Sequence, residues 1–99
     1  MKHFLSPAAA AELDEIWWFV AFESGNPETA DRLVDLITER FFLLALHPQM
    51  GRRLNHRTHP ELRTFPVAGF VILYRVTGEF VRIVHVIRGR RDIDGLLAN

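Results

Sequence analysis

The chain has 99 residues, 48% of them hydrophobic, with twelve basic and twelve acidic side chains and a formal net charge of +0. That length gives room for one domain over residues 1–99. A domain of this size buries roughly 60–70% of its unfolded surface, with no spare layer to hide a large leftover apolar face. The absence of cysteine excludes a disulfide scaffold and thiolate chemistry.

The opening "MKHFLSPAAAAELDE" has one lysine, a short apolar step and then Glu12, which is too broken for a signal-peptide core. The longest apolar run, Ile16 to Phe22, falls far short of the ~20 residues a membrane span needs. A soluble, cytoplasmic protein is expected, with no membrane partner.

"KHFLS", residues 2–6, reads as a short first strand. Ser6-Pro7 is a helix start, with Ser6 as N-cap and Pro7 at the first helical position. Leu13, Ile16, Trp17 and Val20 fall at helical spacing on one face. Trp18, Phe19 and Phe22 enrich the neighbouring face, so this helix must sit between a sheet and something else. Gly25 ends it, and Asn26-Pro27 starts a second helix running to about Leu46. Its stripe is Ala30, Leu33, Val34, Ile37, Phe41 and Leu44, and His47-Pro48 stops it. A loop this short makes the two helices an antiparallel hairpin.

"HPQMGRRLNHRTHPE" reads as one long irregular segment, followed by three strands. "LRTFPV" carries Pro66, which favours an edge or a bulge. "FVILYRV" and "EFVRIVHVI" are rich in β-branched and aromatic residues and form a hairpin around Thr77-Gly78-Glu79. Strict alternation puts Arg82, Val84, Val86 and Arg88 on one face of the last strand, and Val81, Ile83, His85 and Ile87 on the other. After Gly89 the tail "RRDIDGLLAN" makes a short helical turn capped by Asp92 or stays loose. The fold class is α+β: a helical hairpin on a small, mostly antiparallel sheet, in the order β-α-α-β-β-β.

Net charge hides an asymmetry. Residues 1–46 carry three basic side chains against eight acids, a balance of −5, and residues 47–99 carry nine arginines against four acids, a balance of +5. Lys2 is the only lysine. Arginine presents a planar fork that grips carboxylate or phosphate through two bonds. Arg82, Arg88, Arg90 and Arg91, joined by Arg63 if the strand registers allow, are the candidate surface for an acidic target or a phosphate. The bland alternative is a solvated strand end, its arginines paired with Glu61, Glu79, Asp92 or Asp94. His56 and His59 are spaced H-x-x-H, but a zinc site needs a third ligand, so no metal or other cofactor is expected. His85 reads as a hydrogen-bonded core or edge histidine, since general-base work would need an acid or tyrosine within hydrogen-bond reach. Tyr74 reads as core. Glu12, Asp14 and Glu15 read as acids favoured near a helix start. No nucleophile elbow, Walker loop or dinucleotide fingerprint is present.

The order and spacing of "LSPAAAAELDEIWWFV", "ADRLVDLITERFFLLALHPQMGRRL", "ELRTFPVAGFVILYRV" and "VRIVHVIRGRRDIDGLL" resemble the RelE/ParE family of bacterial type II toxin–antitoxin systems. Leu43 to Arg52, Leu62 to Arg75 and the closing "RGRRDI" are most similar to the ParE branch. The resemblance implies neutralisation by a cognate ParD-like antitoxin, contact with operator DNA only through that antitoxin, and poisoning of DNA gyrase by binding. The helical hairpin carries more apolar surface than one sheet face can cover, notably around Trp18, Phe19 and Phe22, and an amphipathic antitoxin segment is expected to pack there. The RelE branch instead cleaves mRNA on the ribosome, holding the phosphate with basic residues on the sheet, which Arg63 and Arg82 would match. Where that branch often carries a His or Tyr near the chain end, this chain has Arg90-Arg91, and arginine, with a pKa above about 12, is a poor proton shuttle. That departure favours a non-enzymatic, binding toxin. A non-toxic, antitoxin-binding regulator is the remaining alternative.

Overall fold

The computed structural model describes residues 1–89 and 93–97. Strand β1 (Lys2–Leu5) leads into α1 (Pro7–Ser24) and α2 (Pro27–Leu46); β2 (Arg52–Arg53), β3 (Arg63–Val67), β4 (Phe70–Thr77), β5 (Phe80–Arg88) and α3 (Ile93–Leu97) follow. The strands form one sheet in the order β1-β5-β4-β3-β2. β1 runs parallel to β5, and the other pairs are antiparallel. The α+β hairpin-on-sheet arrangement is as the sequence indicates. The pairing of Arg52-Arg53 with Arg63 and Thr64, inside the stretch expected to be irregular, adds a fifth strand.

The helix signals act where they stand. Ser6 Oγ accepts the Ala9 N–H at 2.9 Å, and Gly25 closes α1 at φ 65°, a left-handed conformation that glycine adopts without a Cβ clash. Asn26 Oδ1 accepts the Glu28 N–H to start α2. The Trp17 indole N–H donates to Asp31 Oδ1 at 2.8 Å, which ties the two helices together.

The core lies between this hairpin and the sheet. Leu13, Ile16, Ile37, Phe41 and Leu44 meet Phe70, Ile72, Tyr74, Val81, Ile83 and Val86. Tyr74 is fully buried, as expected, but its hydroxyl also holds the loop after α2. It donates to the Pro48 carbonyl and accepts the Gly51 N–H, both at 2.8 Å. Burial pushes the phenol pKa up, against the lowering pull of that N–H and of Arg63. A Cβ on Gly51 would stand 2.6 Å from the Tyr74 ring and 2.8 Å from the Thr64 carbonyl oxygen, so only glycine fits there. Pro66 sits where β3 has lost β2 and borders β4 alone, so its missing N–H breaks no ladder.

The alternation expected along β5 does not hold. Leu73 faces His85 while Tyr74 faces Ile83, so Val84 is an extra, bulged residue. A bulge reverses which side every later residue faces. Arg82 pairs with Arg75 on the sheet face away from the hairpin, whereas Val86 and Arg88 pair with Ile72 and Phe70 on the hairpin side.

Candidate functional site

The first turns of α1 hold this bulge. The Ser6 N–H donates to the Ile83 carbonyl at 2.9 Å, and Ser6 Oγ donates to the Val84 carbonyl at 2.6 Å. Glu12 Oε1 accepts the Val86 N–H at 2.9 Å, and its Oε2 lies 2.9 Å from His85 Nδ1. β1 pairs with β5 only from Phe80 to Ile83; beyond that, Ser6 and Glu12 satisfy backbone groups the ladder leaves open. Glu12, read from sequence as a helix-dipole acid, is therefore the partner of the strand edge and of His85. Nothing in its spacing announces that role, because the contact spans 73 residues. His85 is hydrogen-bonded, as expected, and its partner is the carboxylate that general-base work would require.

Beside this knot a cleft of about 590 Å³ opens between α1 and the end of β5, walled by Ile16, Phe19, Phe70, Val86 and Arg88. Above it Trp18 is 59%, Phe19 49% and Phe22 79% exposed, so the aromatics singled out on α1 form an uncovered band. Trp18 packs edge-on against Trp17 at 5.0 Å and lies 6.1 Å from the Phe22 ring. The Arg88 guanidinium lies 4.8 Å from the Phe19 ring centre and 5.3 Å from that of Phe70. Cation–π contact thus holds the guanidinium itself over these rings, while Arg88 as a whole remains exposed.

The candidate arginines do not share one surface. Arg88 belongs to this cleft. Arg63 is on the hairpin side but at the far end of β4, opposite Tyr74, where it donates to the Gly51 carbonyl at 2.8 Å. Arg82 lies on the opposite face beside Arg75. Arg90 and Arg91, with Asp92, lie outside the described residues. The tail does make a helical turn; Ile93 is buried, and Leu96 is 37% exposed. In the long loop the His56 and His59 rings stand 5.2 Å apart, and His56 Nε2 lies 3.7 Å from Asp94. Among the described residues no group of three or more His, Cys, Asp or Glu side chains is placed to hold a metal ion. No helix among them is long and apolar enough to cross a membrane.

The protein thus combines a small α+β fold with an exposed aromatic helix face, a cleft and an arginine-bearing strand end. The model of a family described as the ParE toxin of type II toxin–antitoxin system, parDE, matches residues 4–93. The chain belongs to that family, within the RelE/ParE superfamily, and is thereby the toxin component of a type II system. It is 30% identical over 94 residues to toxin ParE1 of Mycobacterium tuberculosis, covering 94% of each chain. It is 37% identical over 83 residues to toxin RelE3 of Caulobacter vibrioides, covering 83% of this chain and 87% of that one. A solved structure described as "Chromosomal ParDE TA system from P. aeruginosa" matches with a TM-score of 0.78 and 28% identity, covering 91% of this chain and 97% of that one.

Proposed function

We propose that the protein poisons DNA gyrase by binding, in the manner implied by its resemblance to the ParE branch, and makes or breaks no bond itself. A cognate ParD-like antitoxin neutralises it by laying an amphipathic segment over Trp18, Phe19 and Phe22 and into the cleft that ends at Arg88. The single observation that supports this reading is the uncovered aromatic band continuous with that cleft. A domain of this size does not leave so much apolar surface open without a partner. Such segments are commonly disordered alone and fold on binding. Arg88, with Arg90 and Arg91, supplies the cationic end that meets an acidic target. Contact with operator DNA runs through the antitoxin.

Expression without antitoxin is the test. Filamentation with double-strand DNA breaks is expected. Rapid translation arrest with cleaved message, lost on Arg82→Ala, would instead establish the second reading, ribosome-dependent mRNA cleavage. That reading draws on the Glu12–His85 pair, a carboxylate-oriented imidazole, and on the similarity to a protein named RelE3.

A further inference from the structure

Strand β1 is the outermost strand on its side of the sheet. In a parallel ladder a strand turns the backbone of every second residue to its neighbour. The Ser6 N–H bonds to the Ile83 carbonyl and Phe4 stands beside Arg82, so the backbone of Phe4 turns to β5. The backbones of His3 and Leu5 therefore turn outward. Such an edge is a template for another strand unless charge, proline or a bulge guards it. β1 offers only Lys2, at its end, and at its centre stands Phe4, 51% exposed.

The side chains above and below this edge are apolar. On the face away from the hairpin, Phe4 meets Phe80 edge-on at 5.1 Å. On the hairpin side, His3 packs edge-on against Phe42 at 4.7 Å, and Phe42 is 65% exposed. Leu46, one turn further along α2, is exposed as well. Aromatic side chains bury roughly 150–250 Å² when fully covered, so Phe4 and Phe42 together leave about 170–290 Å² open in each copy. None of these residues belongs to the aromatic band on α1 or to the cleft beside it.

We propose that the free edge of β1 joins two copies of this chain, their β1 strands antiparallel about a two-fold axis at Phe4. This register matches His3 with Leu5 of the second copy, and each such pair exchanges two backbone hydrogen bonds. It sets the two Phe4 side chains opposite each other in the closely spaced position without hydrogen bonds, where they make a cluster of four rings with the two Phe80 side chains. Lys2 falls opposite Ser6, so no like charges meet along the strands. An antiparallel edge paired with itself is self-complementary, which a two-fold interface requires. Over both copies the rings, Leu46 and the strand backbones bury on the order of 1,000 Å², where specific interfaces begin, so the dimer is weak and forms in the micromolar range.

The experiment is sedimentation of the full-length protein, free of antitoxin, across the micromolar range. A reversible monomer–dimer shift is expected. Phe4→Lys puts two ammonium groups face to face and should weaken the dimer about tenfold or more, with a melting curve to check the fold, while Phe22→Ala should leave it unchanged. A second variant does not depend on that substitution being tolerated. The chain has no cysteine, so Phe4→Cys carries a single thiol. Opposite residues at this kind of position have Cα atoms about 4.5 Å apart, within disulfide reach. Under mild oxidation Phe4→Cys should cross-link roughly tenfold faster or more than Phe22→Cys, whose thiol meets others only by collision. A protein that stays monomeric throughout, or equal cross-linking rates in the two variants, overturns the proposal. A dimer lost in Phe22→Ala would move the contact to α1 and overturn it too. So would slowed amide exchange at His3 and Leu5 that appears only when antitoxin is added, which would give this edge to an antitoxin strand.

Discussion

Truncating Phe22 to alanine tests the proposed antitoxin surface most directly. Phe22 is 79% exposed, so it does little for the free fold. An aromatic side chain buries roughly 150–250 Å² when fully covered, which leaves about 120–200 Å² of Phe22 for a partner to cover. At about 25 cal/mol per Å² that area is worth about 3–5 kcal/mol gross. Ordering of the partner segment offsets part of it, so a net loss of about 2 kcal/mol, roughly thirtyfold in affinity, is expected. Trp18→Ala should cost a similar amount, because its ring is 59% exposed and stacks within the same band. The two losses should not add fully, since the rings touch. Calorimetric titration with the cognate antitoxin gives the affinity, and a melting curve of each variant checks the fold. An affinity change under threefold with an unchanged melting point would refute the placement of the antitoxin on α1.

Three further expectations follow from other parts of the molecule. Tyr74→Phe strands the buried Gly51 N–H and should cost about 2 kcal/mol, or about 8–16 °C in Tm for a domain of this size; a loss under 2 °C would contradict the lock described for this loop. Arg90→Glu/Arg91→Glu should abolish growth inhibition and, if the sequence expectation of a displayed tail holds, change folding stability by no more than about 1 kcal/mol; full toxicity in that variant would reduce the arginine tail to a solvated strand end. Burial against Phe41 and Phe42 holds His3 below the ordinary histidine value of 6.5, so its contribution to stability is whole above that pH and is lost as the pH falls from there through the lowered folded-state value; denaturant titrations from pH 7.5 to 4.5 should show a shallower loss in His3→Phe, and identical slopes would count against the burial.

The local signals were legible because each rests on a residue's own backbone chemistry. Ser6-Pro7, Gly25, Asn26-Pro27 and His47-Pro48 mark helix ends, and the apolar stripe of α2 marks its buried side. The exposed band of Trp18, Phe19 and Phe22 was legible too, since a helix apolar on two sides must leave one of them uncovered by a single sheet. The two-residue strand β2 was not, because it exists only through its pairing with Arg63 and Thr64. The bulge at Val84 also escaped notice. "EFVRIVHVI" alternates well enough to be read as a continuous strand, and what breaks it is a set of contacts from α1, made by Ser6 and Glu12 more than 70 residues away.

That bulge decides how the basic half of the chain can be used. Had β5 been regular, Arg82 and Arg88 would have lain on one face and a single acidic partner could have covered both. With Val84 inserted, Arg88 turns to the aromatic cleft, and Arg82 stays with Arg75 on the far side. A segment lying along α1 therefore engages Arg88 without occluding Arg82, and a ligand on the far face engages Arg82 without displacing that segment. Ser6 and Glu12 hold the two arrangements in register, because the same side chains satisfy the bulge and fix α1 against it. Glu12→Ala frees the Val86 N–H and removes the partner of His85, so it perturbs both faces together. Phe22→Ala touches only the aromatic band on α1, and Arg82→Gln only the far face of the sheet. If antitoxin affinity falls with Phe22→Ala and with Glu12→Ala but not with Arg82→Gln, the bulge is the element that divides the surface. If Arg82→Gln weakens antitoxin binding as much as Phe22→Ala does, the two faces act as one site and the division is wrong.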